Sequence, residues 1–341
     1  MSNALVRDLL AEYGEATLTV IRDALERAAR RDPVYGIAAD YPLRGGRALR
    51  ASTCIAAARA HGATLDTAVA TAASLELLHS AFLVRDDVED ESEERRGRPA
   101  LHRIHGIATA VNAGDALTVL GLAPLLENRT LLGTRVAFRV LEEAALMVRE
   151  SVEGQALELR WRSDNALDLS DDDYLRLVLK KTAWYTTIYP LRVGALIGAR
   201  GKVDVARFVR FGFFLGAAFQ IQDDLLNLVG DPARYGKELN GDIAEGKRTL
   251  MLLHLLRVAA PAERARLAEV LRTPRAERRA EAIAWVRERM DHHGSIDRAR
   301  RHAHALAGAA LHEAPGAFAG ARAGRDLRFL QSLPTWVLER R

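Results

Sequence analysis

Residues 82–99 read FLVRDDVEDESEERRGRP and place four acidic side chains in the five positions from Asp86 to Asp90. An apolar run leads into them and a basic RRGR follows. Like charges this close repel by roughly 3 to 4 kcal/mol per pair at about 5 Å and an effective dielectric near 20. A bound cation would relieve that repulsion. On a helix, residues four apart differ by about 400° and share a face, so Asp86 and Asp90 point together with Asp87 beside them. Taken singly, such a face is more often solvated surface than a metal site.

The stretch has an echo. AFLVRDDVED at 81–90 and AFQIQDDLLN at 218–227 share an apolar approach, an aspartate pair and a third polar residue at the same offset, 137 residues apart. Asp223, Asp224 and Asn227 therefore repeat the arrangement of the first cluster. Both clusters emerge from strongly apolar segments, 75–84 and 211–221, and so read as polar ends of buried helices opening into a shared cavity. Oxygen donors with no nearby histidine or cysteine favour magnesium over zinc, and magnesium commonly bridges carboxylates to substrate phosphates. A diphosphate held between the two faces would resolve the repulsion, and the metal would make it a better leaving group.

The bulk composition is that of an ordinary folded chain. The chain has 341 residues, 49% hydrophobic and 28% charged, which is enough for a sizeable core. A net charge of +4 raises the possibility of a nucleic-acid partner, but acidic and basic residues are interspersed with no basic block. No nucleic acid is expected. One cysteine, Cys54, cannot form an intrachain disulfide, and a cytoplasmic location is the expectation. The longest mostly apolar run, 116–126, is too short to span a bilayer, so no integral membrane segment is expected. Only five of the 49 basic residues are lysines: Lys180, Lys181, Lys202, Lys237 and Lys247. A lysine kept in an arginine-rich chain can mark a place where a compact point charge is wanted; for Lys180 and Lys202, chance stays open.

Apolar residues recur at helical spacing through the N-terminal 26 residues from Ala4, through TAVATAASLELLHSAFLV, and again over 134–160, 172–199, 203–230, 247–258, 261–272, 276–291 and 296–312. No alternating, β-branched run stands out. Loops are read from RDPVYG, YPLRGG, RRGRPALHRIHG, RSDNALDLSDDD, GDPARYGKELNGD and HEAPGAFAGARAG. No linker separates two domains, so a single domain over 1–341 is expected, all-α, with its chemistry carried between 45 and 247.

In order and spacing these motifs resemble the trans-isoprenyl diphosphate synthases. FLVRDDVEDESEERRGRPALH is similar to the family's first aspartate-rich motif and FQIQDDLLNLVGD to its second. GGRALR, LKKTA and GKELNGDIAEGKRTL are similar to its other basic elements, and GSIDRARRHAHALAGAAL looks like its C-terminal helix. The resemblance implies an orthogonal helical bundle around a central cavity, the isoprenoid synthase fold, in a homodimer formed through central helices. It implies magnesium-dependent, head-to-tail condensation of isopentenyl diphosphate with an allylic diphosphate. An allylic cation forms as diphosphate leaves, the isopentenyl double bond attacks, and a proton is lost.

The same resemblance implies roles for residues. Asp86, Asp87, Asp90, Asp223, Asp224 and Asn227 match the positions that bind magnesium and the allylic diphosphate. Lys181, Lys237 and Lys247 match lysines on the departing diphosphate, and Arg95 matches an arginine directed at the allylic diphosphate. Arg47, Arg50 and Arg96 match the isopentenyl diphosphate site, joined there by His79, which reads equally as a buried core histidine. Thr182 and Gln220 match positions facing the carbocation and Phe219 an aromatic near the isopentenyl group; each reads equally as core. Two departures stand out: Arg47 and Ala51 replace the common lysine and proline of the first basic element, and Asn227 replaces an aspartate. Chain length is expected to follow from Phe82 and Ala81, four and five positions before the first aspartate, with Leu78 as the next partial floor. Small Ala81 favours more than fifteen carbons, and geranylgeranyl diphosphate is the expected product. Two rivals stay open: a class I terpene cyclase on the same fold, against which Arg47, Arg50 and Arg96 argue and for which the aromatic-rich KKTAWYTTIYPLR speaks, and a non-catalytic subunit of a heteromeric synthase.

Overall fold

The computed structural model describes residues 2–230 and 238–340, and they are overwhelmingly helical. In chain order the helices are α1 (Ser2–Ala29), α2 (Val34–Ala38), α3 (Asp40–Leu43), α4 (Leu49–Ala60), α5 (Leu65–Glu89), α6 (Leu101–His105), α7 (Ile107–Leu132), α8 (Thr134–Ser163) and α9 (Asp171–Val178). A π-helical segment (Leu179–Ile188) leads into α10 (Tyr189–Gly198) and α11 (Phe208–Val229). The rest are α12 (Gly241–Glu245), α13 (Leu250–Val258), α14 (Pro261–Arg272), α15 (Ala280–His292), α16 (Ser295–Ala317) and α17 (Arg325–Leu338).

Helix α5 is the axis of the site. Thr64 caps its start by accepting from the Thr67 N–H. Its middle, from Thr71 to Ala81, is almost wholly buried. It packs along α7, while α11 packs along α16 and the π-helical segment. One core gathers α4, α10 and α11; a second lies between α11 and α13–α16, and a third between α1, α5 and α7. The two aspartate-bearing helix ends belong to helices buried on most sides, which fixes where their carboxylates point.

The sequence reading and the fold differ in particulars. The run read as one helix over 172–199 is α9, the π-helical segment and α10 in succession. Helices α4, α7 and α17 did not figure among the expected segments, and α17 follows the helix read as C-terminal. The loop RRGRPALHRIHG contains a two-residue hairpin, Glu94–Arg95 against Arg98–Pro99, and α6. Arg96 and Gly97 form its turn with φ of 54° and 70°, the left-handed pair a tight hairpin needs. By length and composition α5 and α7 are both apolar enough to cross a membrane, which a count of uninterrupted apolar run overlooked. For α5 the apolar stretch is 67% buried inside the bundle, as the core helix of a packed protein is.

Candidate active site

Both aspartate motifs occupy the C-terminal turns of their helices, where the helix dipole adds to the repulsion among carboxylates. Both open on one cavity of about 1190 Å³, whose wall includes Asp86, Asp223, Asp224, Arg47, Arg50 and Arg96. Cations already surround the first motif. Lys181 Nζ donates to Asp86 at 3.0 Å and to Glu158, and Lys247 Nζ lies 2.7 Å from Asp90, which also accepts from Arg162. Burial works against charge on Lys181 and Lys247, but the facing carboxylates outweigh it and hold both above the ordinary lysine range. Burial pushes the Asp90 carboxyl up to about 6, with Lys247 opposing.

Asp86, Asp90 and Glu158 each offer an oxygen, and the three oxygens lie within 4.8 Å of one another. That all-oxygen donor set suits a hard divalent ion bridged to phosphate. Glu158 and Arg162, one turn apart on α8, were not singled out in the sequence; they look like ordinary helix-surface charges until the fold brings α8 to the end of α5. Asp87 points elsewhere. It is fully buried, accepts from the Tyr41 hydroxyl at 2.6 Å, and forms a two-point ion pair with Arg95. Arg95 also lies 3.6 Å from Asp86, so it spans the first two aspartates.

The second motif is handled by mostly neutral partners. Asp224 accepts from the Tyr174 hydroxyl at 2.8 Å and from Gln220 Nε2 at 2.7 Å, and burial pushes its carboxyl up to about 7 against those bonds. Thr182 donates to Gln220 Oε1 at 2.8 Å, so the pair bridges the π-helical segment and α11. Asp223 is 36% exposed and pairs with Arg340 Nη2 at 3.2 Å. Arg340 lies over the Phe219 ring at 4.1 Å and is itself buried; among 44 arginines nothing in the sequence marks it. Asn227 ties down a loop: its side-chain oxygen accepts from the Asp242 N–H at 3.1 Å and its carbonyl from Asn240 at 2.8 Å. Asn227, Asp87 and Asp90 are not part of the cavity wall, although Asp90 reaches the three-oxygen cluster behind it.

Glycines set the basic elements. Gly45 has φ of 79°, and a Cβ on Gly46 would lie 3.0 Å from the Arg96 guanidinium, so GGRALR and RRGR interlock. The Ala51 N–H donates to Glu76 at 3.1 Å, a bond that the proline common at this position could not make. Gly154 and Gly216 clamp the π-helical segment, since a Cβ at either would come within 3 Å of Lys181 or Ala183. His79 is buried, and burial, followed by Arg50, Arg96 and Arg95, holds it well below the ordinary histidine range and neutral. Lys237 lies outside the described residues.

The three residues expected to set the tunnel floor stand in different places. Phe82 lines the cavity, but Ala81 and Leu78 do not. Ala81 packs among Ala110, Ala113 and Leu117 of α7, and Leu78 meets Gly121. At about 100° per residue, the side of α5 that carries 79, 82, 83 and 86 to the cavity turns 77, 81 and 84 towards α7.

Comparison with known proteins agrees with this arrangement. The polyprenyl synthetase family matches residues 32–289. A short chain isoprenyl diphosphate synthase of Methanothermobacter thermautotrophicus is 31% identical over 302 residues, 89% of this chain and 88% of that protein. The crystal structure of a polyprenyl synthase from Caulobacter crescentus CB15, complexed with calcium and isoprenyl diphosphate, matches with a TM-score of 0.85 at 29% identity, covering 100% of this chain and 99% of that one. A geranylgeranyl pyrophosphate synthetase from Pyrococcus horikoshii Ot3 matches with a TM-score of 0.84 at 27% identity over 98% and 99% of the two chains. With a family match across most of its length and two carboxylate-bearing helix ends sharing one cavity, the chain belongs to the polyprenyl synthetase family and is a prenyltransferase, an isoprenyl diphosphate synthase.

Proposed function

We propose that this prenyltransferase condenses isopentenyl diphosphate head-to-tail with an allylic diphosphate, in the presence of magnesium, to give geranylgeranyl diphosphate. The observation that carries the reading is the meeting of two carboxylate motifs and three arginines, Arg47, Arg50 and Arg96, on one cavity with apolar walls. Asp86, Asp90 and Glu158 would hold magnesium from one side and Asp223 from the other. The bound metal would supply positive charge against the departing diphosphate.

The protein's own groups do the rest. Lys181 and Lys247, which balance the first motif, lie where their charge would be available to the diphosphate when those carboxylates hold metal. Arg47, Arg50 and Arg96 bind the second diphosphate through forked guanidinium groups. Gln220 Oε1, held by Thr182, offers an oxygen near the developing allylic cation. Neutral His79 adds no competing charge. Asp87 and Asn227 act on the frame of the site, by fixing Arg95 and the loop before α12.

A homodimer is part of the proposal. Ile107, Val111, Val119, Leu122 and Leu126 form an exposed apolar stripe along α7, 40–64% exposed, with Phe138 of α8 beside it at 60%. A second copy of the chain would cover this face, and Leu126→Glu with Phe138→Glu is expected to give a monomer by light scattering.

The test of the reaction is incubation with dimethylallyl, geranyl or farnesyl diphosphate, each with and without isopentenyl diphosphate, followed by mass spectrometry. Twenty-carbon diphosphate formed only with both substrates is the expected result. Hydrocarbon released without isopentenyl diphosphate would identify a cyclase instead, and no turnover would identify a non-catalytic subunit.

A further inference from the structure

Tyr185 enters the sequence reading only as one aromatic of KKTAWYTTIYPLR, yet three groups of the site converge on its ring. It projects from the π-helical segment into the cavity wall. The Arg50 guanidinium lies over the ring at 4.5 Å. His79 stacks on it at 5.6 Å with an interplanar angle of 25°, and Phe82 meets it edge-on at 5.8 Å. The neighbouring Thr186 hydroxyl accepts from Arg50 Nη2 at 2.9 Å.

These contacts hold Arg50 without neutralising it. Among the described residues no carboxylate forms an ion pair with Arg50, whereas Arg95 is paired with Asp87. Its Nε is buried and has no hydrogen-bond partner. An aromatic face attracts a guanidinium and fixes its plane while leaving its full charge for an anion. The opposite consequence follows at the ring's other edge. Because Ala81 and Leu78 are turned away, the α5 side of the cavity at this level is bounded by Phe82, and Phe82 rests on Tyr185.

Resting on the function proposed above, we infer that Tyr185 is a positioning and specificity-determining residue that aims Arg50 at the second diphosphate and, with Phe82, partitions that site from the apolar space that receives the growing chain. One ring thus serves both the headgroup and the length of the product.

The test compares wild type, Tyr185→Leu, Tyr185→Phe and Phe82→Ala, each first shown to be folded by circular dichroism and thermal melting. Tyr185→Leu is expected to raise KM for isopentenyl diphosphate roughly tenfold, with a smaller effect on KM for the allylic substrate, and to shift products to longer chains. Phe82→Ala is expected to lengthen the product while leaving KM for isopentenyl diphosphate near the wild-type value, and Tyr185→Phe, which keeps the ring, restores both values. A purely structural role would lower the melting temperature and kcat without this split. Unchanged KM and unchanged product in folded Tyr185→Leu would overturn the inference and leave the proposed function standing. A change in one readout alone supports that half and overturns the other. Wild-type protein that elongates no allylic diphosphate overturns the function and this inference together.

Discussion

The two aspartate motifs echo each other in sequence and differ in how their charge is handled. At the end of α5, Asp86, Asp87 and Asp90 are met by five cations: Lys181, Lys247, Arg95, Arg162 and, through the Asp90 carbonyl, Arg275. At the end of α11, Asp224 is held by a phenol and an amide, Asn227 carries no charge, and Asp223 has Arg340 on a half-open flank. The first motif is a buried ionic lattice; the second rests on one ion pair and two neutral donors. Metal held at the first motif would share its carboxylates with Lys181, Lys247 and Arg162, whereas at the second it would face a single ion pair. The two clusters thus meet the same repulsion differently: the first is ringed by cations, and the second combines one ion pair with neutral hydrogen-bond donors.

That contrast can be broken in several ways. The largest effect expected is on turnover, where Asp86→Ala and Asp223→Ala should each lower kcat on the order of 10²- to 10³-fold; a variant with near wild-type kcat would remove its motif from the chemistry. Stability without metal should separate the two motifs. In urea unfolding with chelator present, Asp90→Ala should cost about 3–5 kcal/mol because it leaves Arg162 without its buried partner, while Lys247 keeps Glu245. Asp223→Ala should cost about 1–2 kcal/mol, less than Asp90→Ala because the Asp223 carboxylate is itself partly exposed although Arg340 is largely buried; equal costs would erase the distinction. Magnesium at about a hundred times its dissociation constant should stabilise wild type by about 2.7 kcal/mol, and Asp86→Ala should lose most of that gain in a thermal-shift titration. The smallest effect is expected from Asn227→Asp, which keeps the acceptor for the Asp242 N–H; a large drop in the magnesium needed for half-maximal rate would return residue 227 to the metal set.

The sequence made the first motif conspicuous because its charge density is unfavourable on its own, and the echo around Asp223 supplied the second. What it left out shares one property. Glu158, Arg162, Arg340 and Tyr41 matter through partners 23 to 117 residues away, and each alone looks like an ordinary helical or aromatic residue. Glu158 joins Asp86 and Asp90 only because α8 passes the end of α5. The facing of Ala81 depends on the rotation of α5 against α7, which spacing from an aspartate does not determine. The π-helical segment reads as α-helix because, over ten residues, its apolar pattern hardly differs from one with 3.6 residues per turn.

The glycines behind the π-helical segment have a practical consequence. Gly154 and Gly216 are not part of the cavity wall, yet any larger residue there would collide with the backbone at Lys181 or with Ala183 and shift the segment carrying Lys181, Thr182 and Tyr185. Mutant libraries that randomise only cavity-facing positions would never sample these two hidden adjusters. Directed evolution of this scaffold should therefore treat them either as invariant anchors or, with compensating changes nearby, as levers that move several reactive groups at once.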